Sequence, residues 1–139
     1  AGVAEKAQGV LNEFGIEFEA HVMSAHRTPN KVRSFVRGLE DNGFGAVIAI
    51  AGLAAHLPGV VAAMTVLPVI GVPAAGGPLS GQDALYSIVQ MPPGIPVATV
   101  GIGNARNAAL LAVEILGVGD QSLKDKMKEY RRQFGDDAG

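Results

Sequence analysis

The spacing of apolar residues along the chain predicts alternating helices and strands. A first amphipathic helix is expected where apolar residues recur at helical intervals up to Phe14, with Gly15 following as a C-terminal stop. A second is expected after Thr28, which supplies an N-cap ahead of Pro29. The apolar positions of these two helices are Val3, Ala7, Val10, Leu11 and Phe14, then Val32, Phe35, Val36 and Leu39.

Strands are expected in four places. Residues 17–23 alternate apolar and polar side chains, with Phe18, Ala20 and Val22 on one face, which predicts a half-buried strand. The other three stretches do not alternate, and short continuous apolar runs are typical of strands that helices cover on both faces. These runs are 46–51, 67–72 and 97–100.

Further helices are predicted at 58–64, 81–91, 104–116 and 121–134. In the second of these, Leu85, Ile88 and Val89 are expected to face inward. The helix 104–116 is apolar nearly all round, so it needs cover on both sides from its own domain or from another subunit.

This order of elements indicates an α/β fold, with a parallel sheet between two layers of helices. We expect a single domain over 1–139, in which 120–139 forms a C-terminal helix and tail. A doubly wound sheet usually opens with a strand near its centre, and this chain opens with a helix. We therefore also expect an upstream strand and turn that precede the first helix.

Composition narrows the chemistry. The chain has 139 residues, which suits one domain, and a net charge of −2, which gives no general attraction to nucleic acid. With no cysteine there is no thiolate nucleophile and no Cys-ligated metal, and three histidines without clustered carboxylates do not predict a metal site. His, Pro and Gly interrupt the apolar runs, so no membrane span is expected. The start of the chain shows no signal-peptide pattern, and a cytoplasmic protein is predicted.

Candidate chemistry is concentrated in the turns. Ligands of open parallel α/β sheets bind beyond the carboxyl ends of the strands. Four turns are expected at that edge, at 24–29, 51–59, 71–81 and 101–107, and two of the three histidines lie in them. A ligand site is therefore predicted there.

His26 and Arg27 are adjacent, just ahead of the predicted second helix. A histidine can transfer protons near neutral pH, an arginine can hold a phosphate or carboxylate, and a helix N-terminus adds N–H groups for an anion. The alternative is an ordinary helix entry capped by Ser24 or Thr28. Spacing alone leaves both interpretations open.

Two other features also leave alternatives open. His56 lies among small apolar residues, as either a ligand contact or a buried histidine bonded to backbone. Residues 74–81 are either a loop that closes over a ligand or a plain connector. His21 alternates with Glu17 and Glu19 on the polar face of the predicted strand, and we interpret it as non-functional.

Four segments together resemble a known enzyme family. They are Ser-Ala-His-Arg-Thr-Pro at 24–29, Ala-Ala-His-Leu-Pro-Gly at 54–59, Ser-Ile-Val-Gln-Met-Pro-Pro-Gly-Ile-Pro-Val-Ala-Thr at 87–99, and Asn-Ala-Ala-Leu-Leu-Ala at 107–112. The chain resembles the catalytic subunit of 5-(carboxyamino)imidazole ribonucleotide mutase of purine biosynthesis over nearly its whole length. The resemblance implies a flavodoxin-like three-layer αβα sandwich, assembled as a homo-octamer, that acts on a small ribonucleotide without metal, biotin or other cofactor.

The resemblance also implies roles for particular residues. His26 is the expected proton-transfer group, and Arg27 is expected to contact the substrate phosphate. The remaining substrate-binding residues are expected to be Ser24, Ala51, Gly52 and Leu53, which line the pocket, and His56 and Leu57, which support the carboxylate end.

The chain departs from the family pattern at two places. Nothing in it matches the Gly-Ser-x-Ser-Asp turn that follows the family's first strand. Ile50 and Leu53 stand where many bacterial members have glycine, so the stretch looks more like archaeal members. The expected activity is the mutase, these departures leave direct carboxylation of aminoimidazole ribonucleotide open as the alternative, and a non-catalytic nucleotide-binding module is the third possibility.

Overall fold

The structure is a computed structural model that describes residues 2–135. Its elements alternate along the chain as the apolar pattern predicts, except near residue 20. They are α1 (Gly2–Glu13), α2 (Pro29–Arg37), β1 (Val47–Ala51), α3 (Leu57–Ala62), β2 (Val69–Pro73), α4 (Gln82–Val89), β3 (Ala98–Thr99), α5 (Ala105–Gly117), α6 (Gln121–Arg131) and a 3-10 turn (Arg132–Phe134). The end of the predicted tail, 136–139, lies outside the described residues.

The described strands form a parallel sheet in the order β1-β2-β3. Val47 is opposite Val69 in the first pair, and Ile70 is opposite Ala98 in the second. Helices α1, α5 and α6 pack on one face, and α2, α3 and α4 pack on the other. This arrangement confirms the predicted α/β fold with helices on both faces of a parallel sheet.

The two faces of β2 form the centre of the molecule. Ile70 and Val72 are fully buried against α1 and α5, while Val69 packs against α2 and α3 on the other face. Burying a side chain of this size contributes about 1.5–3 kcal/mol. All five residues of β2 are buried, and β2 is the central strand of the three. Its position therefore determines where the turns after β1, β2 and β3 lie.

The apolar helix predicted at 104–116 is covered by its own domain. As α5 it lies between the sheet and the pair α1 and α6, and most of its buried side chains are alanines. Such small side chains allow close packing on several sides. The helix starts where the side chain of Asn104 accepts a hydrogen bond from the Asn107 N–H at 3.0 Å. The burial of α5 therefore needs no second subunit.

The predicted strand at 17–23 is wrong. The segment is neither helix nor strand, and none of the described strands pairs with it. Its expected inward face is also wrong, since Ala20 is exposed and Val22 is 93% exposed, while Phe18 is half-buried. An alternating pattern forms a strand only beside another strand, and β1 pairs with β2 alone within the described part of the chain.

Two smaller expectations also fail. Val89 is 49% exposed rather than inward, because it ends α4, whose buried residues are Ala84 and Ile88. The helix predicted at 121–134 ends as α6 at Arg131, and Phe134 lies on the 3-10 turn beyond it and is 66% exposed.

Candidate active site

Two turns predicted to carry chemistry meet at the carboxyl edge of the sheet. Their histidine rings, His26 and His56, have centroids 4.8 Å apart and an interplanar angle of 68°. Both residues are exposed, so the interpretation of His56 as a buried structural histidine is wrong. The remaining histidine, His21, lies instead beside Phe35 and Glu19.

The turn that carries His26 is held by two hydroxyl groups. The Thr28 hydroxyl accepts a hydrogen bond from the Ser24 N–H at 3.1 Å and donates to the Ser24 carbonyl at 3.0 Å. The Ser24 hydroxyl oxygen accepts from the Arg27 N–H at 3.1 Å. Thr28 precedes α2 as predicted, but its side chain caps the turn rather than the helix. His26 and Arg27 are therefore displayed on a closed turn with their side chains exposed.

The turn that carries His56 is held by packing. It begins where the Ala51 carbonyl accepts a hydrogen bond from the Ala74 N–H at 2.9 Å. Ala55 is 2% exposed, and Leu57 is half-buried against the core beneath α2 and α3. His56 stands at the N-cap position of α3 between these two anchors. The anchors hold its backbone while the ring stays exposed.

Leu53 is the strained residue of this turn. Its φ is 54°, a left-handed conformation that costs a residue with a side chain about 1–2 kcal/mol. A Cβ added to Gly77 would lie 2.6 Å from Leu53 Cδ2, so the leucine side chain rests on the glycine backbone. Leu53 therefore bridges the turn after β1 to the turn after β2.

The third and fourth predicted turns close the same edge. The Gly103 N–H donates to the Pro73 carbonyl at 2.7 Å. A Cβ on Gly81 would lie 2.7 Å from Ile102 Cγ2, so these turns are also in close contact. Sequence reasoning left 74–81 open between a loop over the ligand and a connector, and it missed the partners Ala74 and Gly77. The only signal for them was the run of Ala and Gly itself.

The residues predicted to form the site fall into two groups. Ser24, His26 and Arg27 lie on one turn, and Ala51, Gly52, Leu53, His56 and Leu57 lie on or beside the other. Gly52 leaves the second turn open, since a Cβ there would meet only Ala74 at 3.7 Å or more. The two groups meet where the two histidine rings are in contact.

The charges at the site favour an anion. Among residues 2–135, Arg27 forms no ion pair with a carboxylate, and no three His, Asp or Glu side chains are grouped to hold a metal ion. No helix in that range is long and apolar enough to cross a membrane. The arrangement offers an exposed guanidinium, two imidazoles and the small-residue turn 51–55. Together these groups can hold an anionic ligand and move a proton on it.

Fold and site together define an open parallel α/β protein with an exposed arginine and two neighbouring histidines at the carboxyl edge of its sheet. The family model of AIR carboxylase matches residues 1–137. The chain belongs to the AIR carboxylase family, which is a family of enzymes.

Individual relatives agree with this assignment. The Pyrococcus abyssi N5-carboxyaminoimidazole ribonucleotide mutase is 55% identical over 132 residues, which cover 95% of this chain and 76% of that protein. The Saccharomyces cerevisiae phosphoribosylaminoimidazole carboxylase is 54% identical over 128 residues, 92% of this chain and 22% of the yeast protein. The crystal structure of Treponema denticola PurE has a TM-score of 0.84 at 34% identity and covers 95% of this chain and 82% of that one, which confirms the flavodoxin-like fold.

Proposed function

We propose that the chain is a purine-biosynthetic mutase that converts N5-carboxyaminoimidazole ribonucleotide into 4-carboxy-5-aminoimidazole ribonucleotide. The observation that carries the proposal is the contact between the His26 and His56 rings, 4.8 Å apart, on turns with the family's residues. The Pyrococcus relative's name supports the choice of substrate.

His26 is the proton-transfer group in this proposal. When the bond between the exocyclic nitrogen and its carboxylate breaks, the electron pair stays on the nitrogen, carbon dioxide leaves, and His26 donates a proton to the nitrogen. Ring carbon 4 then attacks the carbon dioxide, and the new carbon–carbon bond leaves a proton on that carbon. His26 removes it, so the ring regains its aromaticity and the histidine regains its starting state. Acid–base catalysis of this kind is worth roughly 10²–10⁴-fold.

The turn at 51–55 supports the carbon dioxide step. A carboxylate leaves a carbamate more readily where few polar groups solvate it, and this turn consists of Ala, Gly and Leu side chains. Holding the released carbon dioxide beside the ring makes its capture effectively intramolecular. Ala51, Gly52 and Leu53 line this part of the pocket, and His56 and Leu57 lie at its carboxylate end.

Arg27 and Ser24 hold the ribonucleotide. The guanidinium of Arg27 is exposed beside His26 and is suited to a phosphate in a bidentate arrangement. The Ser24 oxygen already accepts the Arg27 N–H, so its own O–H remains available to donate. No cofactor or metal takes part in this proposal.

Direct carboxylation of aminoimidazole ribonucleotide is the second candidate. It is favoured by the yeast relative, which is named a carboxylase although it is 54% identical to this chain. Both activities share the second half of the chemistry, in which carbon 4 attacks carbon dioxide and loses a proton. They differ only in where the carbon dioxide comes from.

We also propose that the protein is a cytoplasmic homo-oligomer, as an octamer. The oligomer is supported by apolar side chains that are exposed on α4 and the turn before it. The exposed fractions are 61% for Tyr86, 56% for Leu79 and 49% for Val89. Light scattering that gives a single-chain mass at micromolar concentration would contradict the assembly.

The function is tested with N5-carboxyaminoimidazole ribonucleotide labelled with ¹³C in its carboxylate, in buffer that contains unlabelled bicarbonate. The mutase transfers the label to ring carbon 4 of the product. A carboxylase instead uses aminoimidazole ribonucleotide and incorporates unlabelled carbon. Product that carries only unlabelled carbon would overturn the mutase, and no turnover of either substrate would overturn both candidates.

A further inference from the structure

Leu53 is the one large side chain in the first part of the turn that follows β1. Residues 51–55 are otherwise alanine and glycine. The φ of Leu53, 54°, is left-handed, a conformation that leucine rarely adopts. Its side chain is 56% exposed, so little burial offsets this strain. Residues held in such conformations are concentrated at active sites.

The leucine side chain lies across the gap between the turns after β1 and β2. Gly77, with φ 72°, leaves room for it, since a Cβ on that glycine would lie 2.6 Å from Leu53 Cδ2. Nearer the strands, the Ala74 N–H donates to the Ala51 carbonyl at 2.9 Å, and a Cβ on Gly52 would lie 3.7 Å from Ala74 Cβ. The two turns are thus joined by backbone at the strand ends and by Leu53 further along.

The turn after β2 has a second contact of the same kind on its other side. A Cβ on Gly81, whose φ is 94°, would lie 2.7 Å from Ile102 Cγ2. Because the strand order is β1-β2-β3, Leu53 reaches this turn from the β1 side and Ile102 reaches it from the β3 side. His56 belongs to the turn after β1, so of these two contacts the one made by Leu53 is on the side of the candidate site.

Carbon dioxide is difficult to hold by polar contacts. The molecule has no charge and no dipole moment, and residues 51–55 have no polar side chain. The walls of the site must therefore keep it beside the ring until carbon 4 attacks it, which is the condition for an effectively intramolecular capture. An open gap between the turns after β1 and β2 would let it leave.

We propose that Leu53 retains the released carbon dioxide by closing the gap between these two turns, and so determines whether the carboxylate is transferred or lost. This inference rests on the proposed mutase reaction. When the bond between the exocyclic nitrogen and the carboxylate breaks, the nitrogen keeps the electron pair and takes a proton from His26. If carbon 4 captures the carbon dioxide, His26 regains its proton from that carbon.

Escape of the carbon dioxide gives a different balance. Aminoimidazole ribonucleotide is left as the organic product, water hydrates the carbon dioxide to bicarbonate and a proton, and His26 is reprotonated from solvent. The two fates therefore differ in where the carbon of the original carboxylate is found.

The test uses N5-carboxyaminoimidazole ribonucleotide that carries ¹³C in its carboxylate. Carbon-13 NMR at early times gives the ratio of labelled bicarbonate to labelled ring-carboxylated product, after subtraction of the loss without enzyme. We expect Leu53→Gly to raise this ratio roughly tenfold, because capture is no longer effectively intramolecular. Leu53→Met, which conserves volume, is expected to keep the original ratio. Because the ratio is a property of each turnover, a smaller folded fraction does not change it.

Matched substitutions separate closure of the gap from general loosening of the turn after β2. Gly77→Ala displaces the leucine and should also raise the ratio, and combining it with Leu53→Gly should raise the ratio no further than Leu53→Gly alone. Gly76→Ala, which meets nothing within 4 Å, and Ile102→Ala, which loosens the same turn from the β3 side, should leave it unchanged. An unchanged ratio in Leu53→Gly, or an equal rise in Ile102→Ala, would overturn the proposal.

Failure of the proposed function gives a separate result. If the unsubstituted protein forms product only from aminoimidazole ribonucleotide and bicarbonate, the mutase is overturned. Leu53→Gly should then raise the bicarbonate concentration for half-maximal rate roughly tenfold with little change in kcat, and no rise would overturn the role of Leu53. No product from either substrate would overturn both proposals.

Discussion

The two turns that form the candidate site are built in different ways. The turn at 24–28 is closed by the hydroxyls of Ser24 and Thr28 and by the backbone bond from the Thr28 N–H to the Ser24 carbonyl, and residues 26–28 are solvent-exposed. The turn at 51–56 is fixed by the buried Ala55, by a strained Leu53 and by contact with the turn after β2. His26 is thus positioned by local hydrogen bonds, whereas His56 is positioned by tertiary packing. Substitutions in the two turns should therefore affect different properties.

The largest stability effect is expected for Gly77→Ala. Gly77 has φ 72°, and its new Cβ would lie 2.6 Å from Leu53 Cδ2. The left-handed backbone and the displaced leucine together should lower the free energy of unfolding by about 1–3 kcal/mol. Urea denaturation measures the change. Gly76→Ala is the matched control, because nothing lies within 4 Å of its Cβ position, and it should be nearly neutral. Equal effects of the two would show that the turns do not interlock.

A smaller effect is expected for Thr28→Val, which keeps the side-chain shape and removes both hydroxyl hydrogen bonds to Ser24. The loss should be about 1 kcal/mol, since each exposed hydrogen bond contributes modestly. Amide exchange should rise at Arg27 and stay unchanged at Ala74, which belongs to the packed pair of turns. Faster exchange at Ala74 would mean that the two turns are not independent.

The two turns also differ in how much of their structure can be predicted from the sequence. The carboxyl-edge rule and the apolar run 46–51 were enough to place His56 at the carboxyl edge of the sheet. His26 was placed there from a predicted strand at 17–23, a segment that is neither helix nor strand in the structure. The left-handed φ of Leu53 was not predictable, because it results from closure of the chain against Gly77, more than twenty positions away in sequence. The strand prediction for 17–23 failed for a related reason. Alternating apolar and polar residues favour a strand, but a strand forms only where a neighbouring strand supplies its hydrogen bonds.

The smallest effect is expected for Leu53→Gly. Glycine adopts the left-handed conformation without strain, but it also loses more conformational freedom on folding, by about 0.5–1 kcal/mol. The leucine side chain is 56% exposed, so little burial is lost. The relief of about 1–2 kcal/mol of backbone strain and the entropy cost largely offset each other, so the free energy of unfolding should change by less than about 1 kcal/mol. Exchange at the Ala74 amide, which bonds to the Ala51 carbonyl, should nevertheless become faster as the bridge is lost. A large destabilisation would show that Leu53 anchors the fold itself.

The central claim is that His26, on the hydrogen-bonded turn, performs the proton transfers. The most direct measurement compares ring-carboxylated product formation by His26→Asn and His21→Asn, each starting from N5-carboxyaminoimidazole ribonucleotide. His21 lies beside Glu19 and Phe35 and serves as the matched histidine control. We expect His26→Asn to lose more than about 90% of turnover, in line with the loss of a general acid–base, with an unchanged circular dichroism spectrum, and His21→Asn to retain its activity. A folded His26→Asn protein that keeps more than about a tenth of turnover would contradict the account.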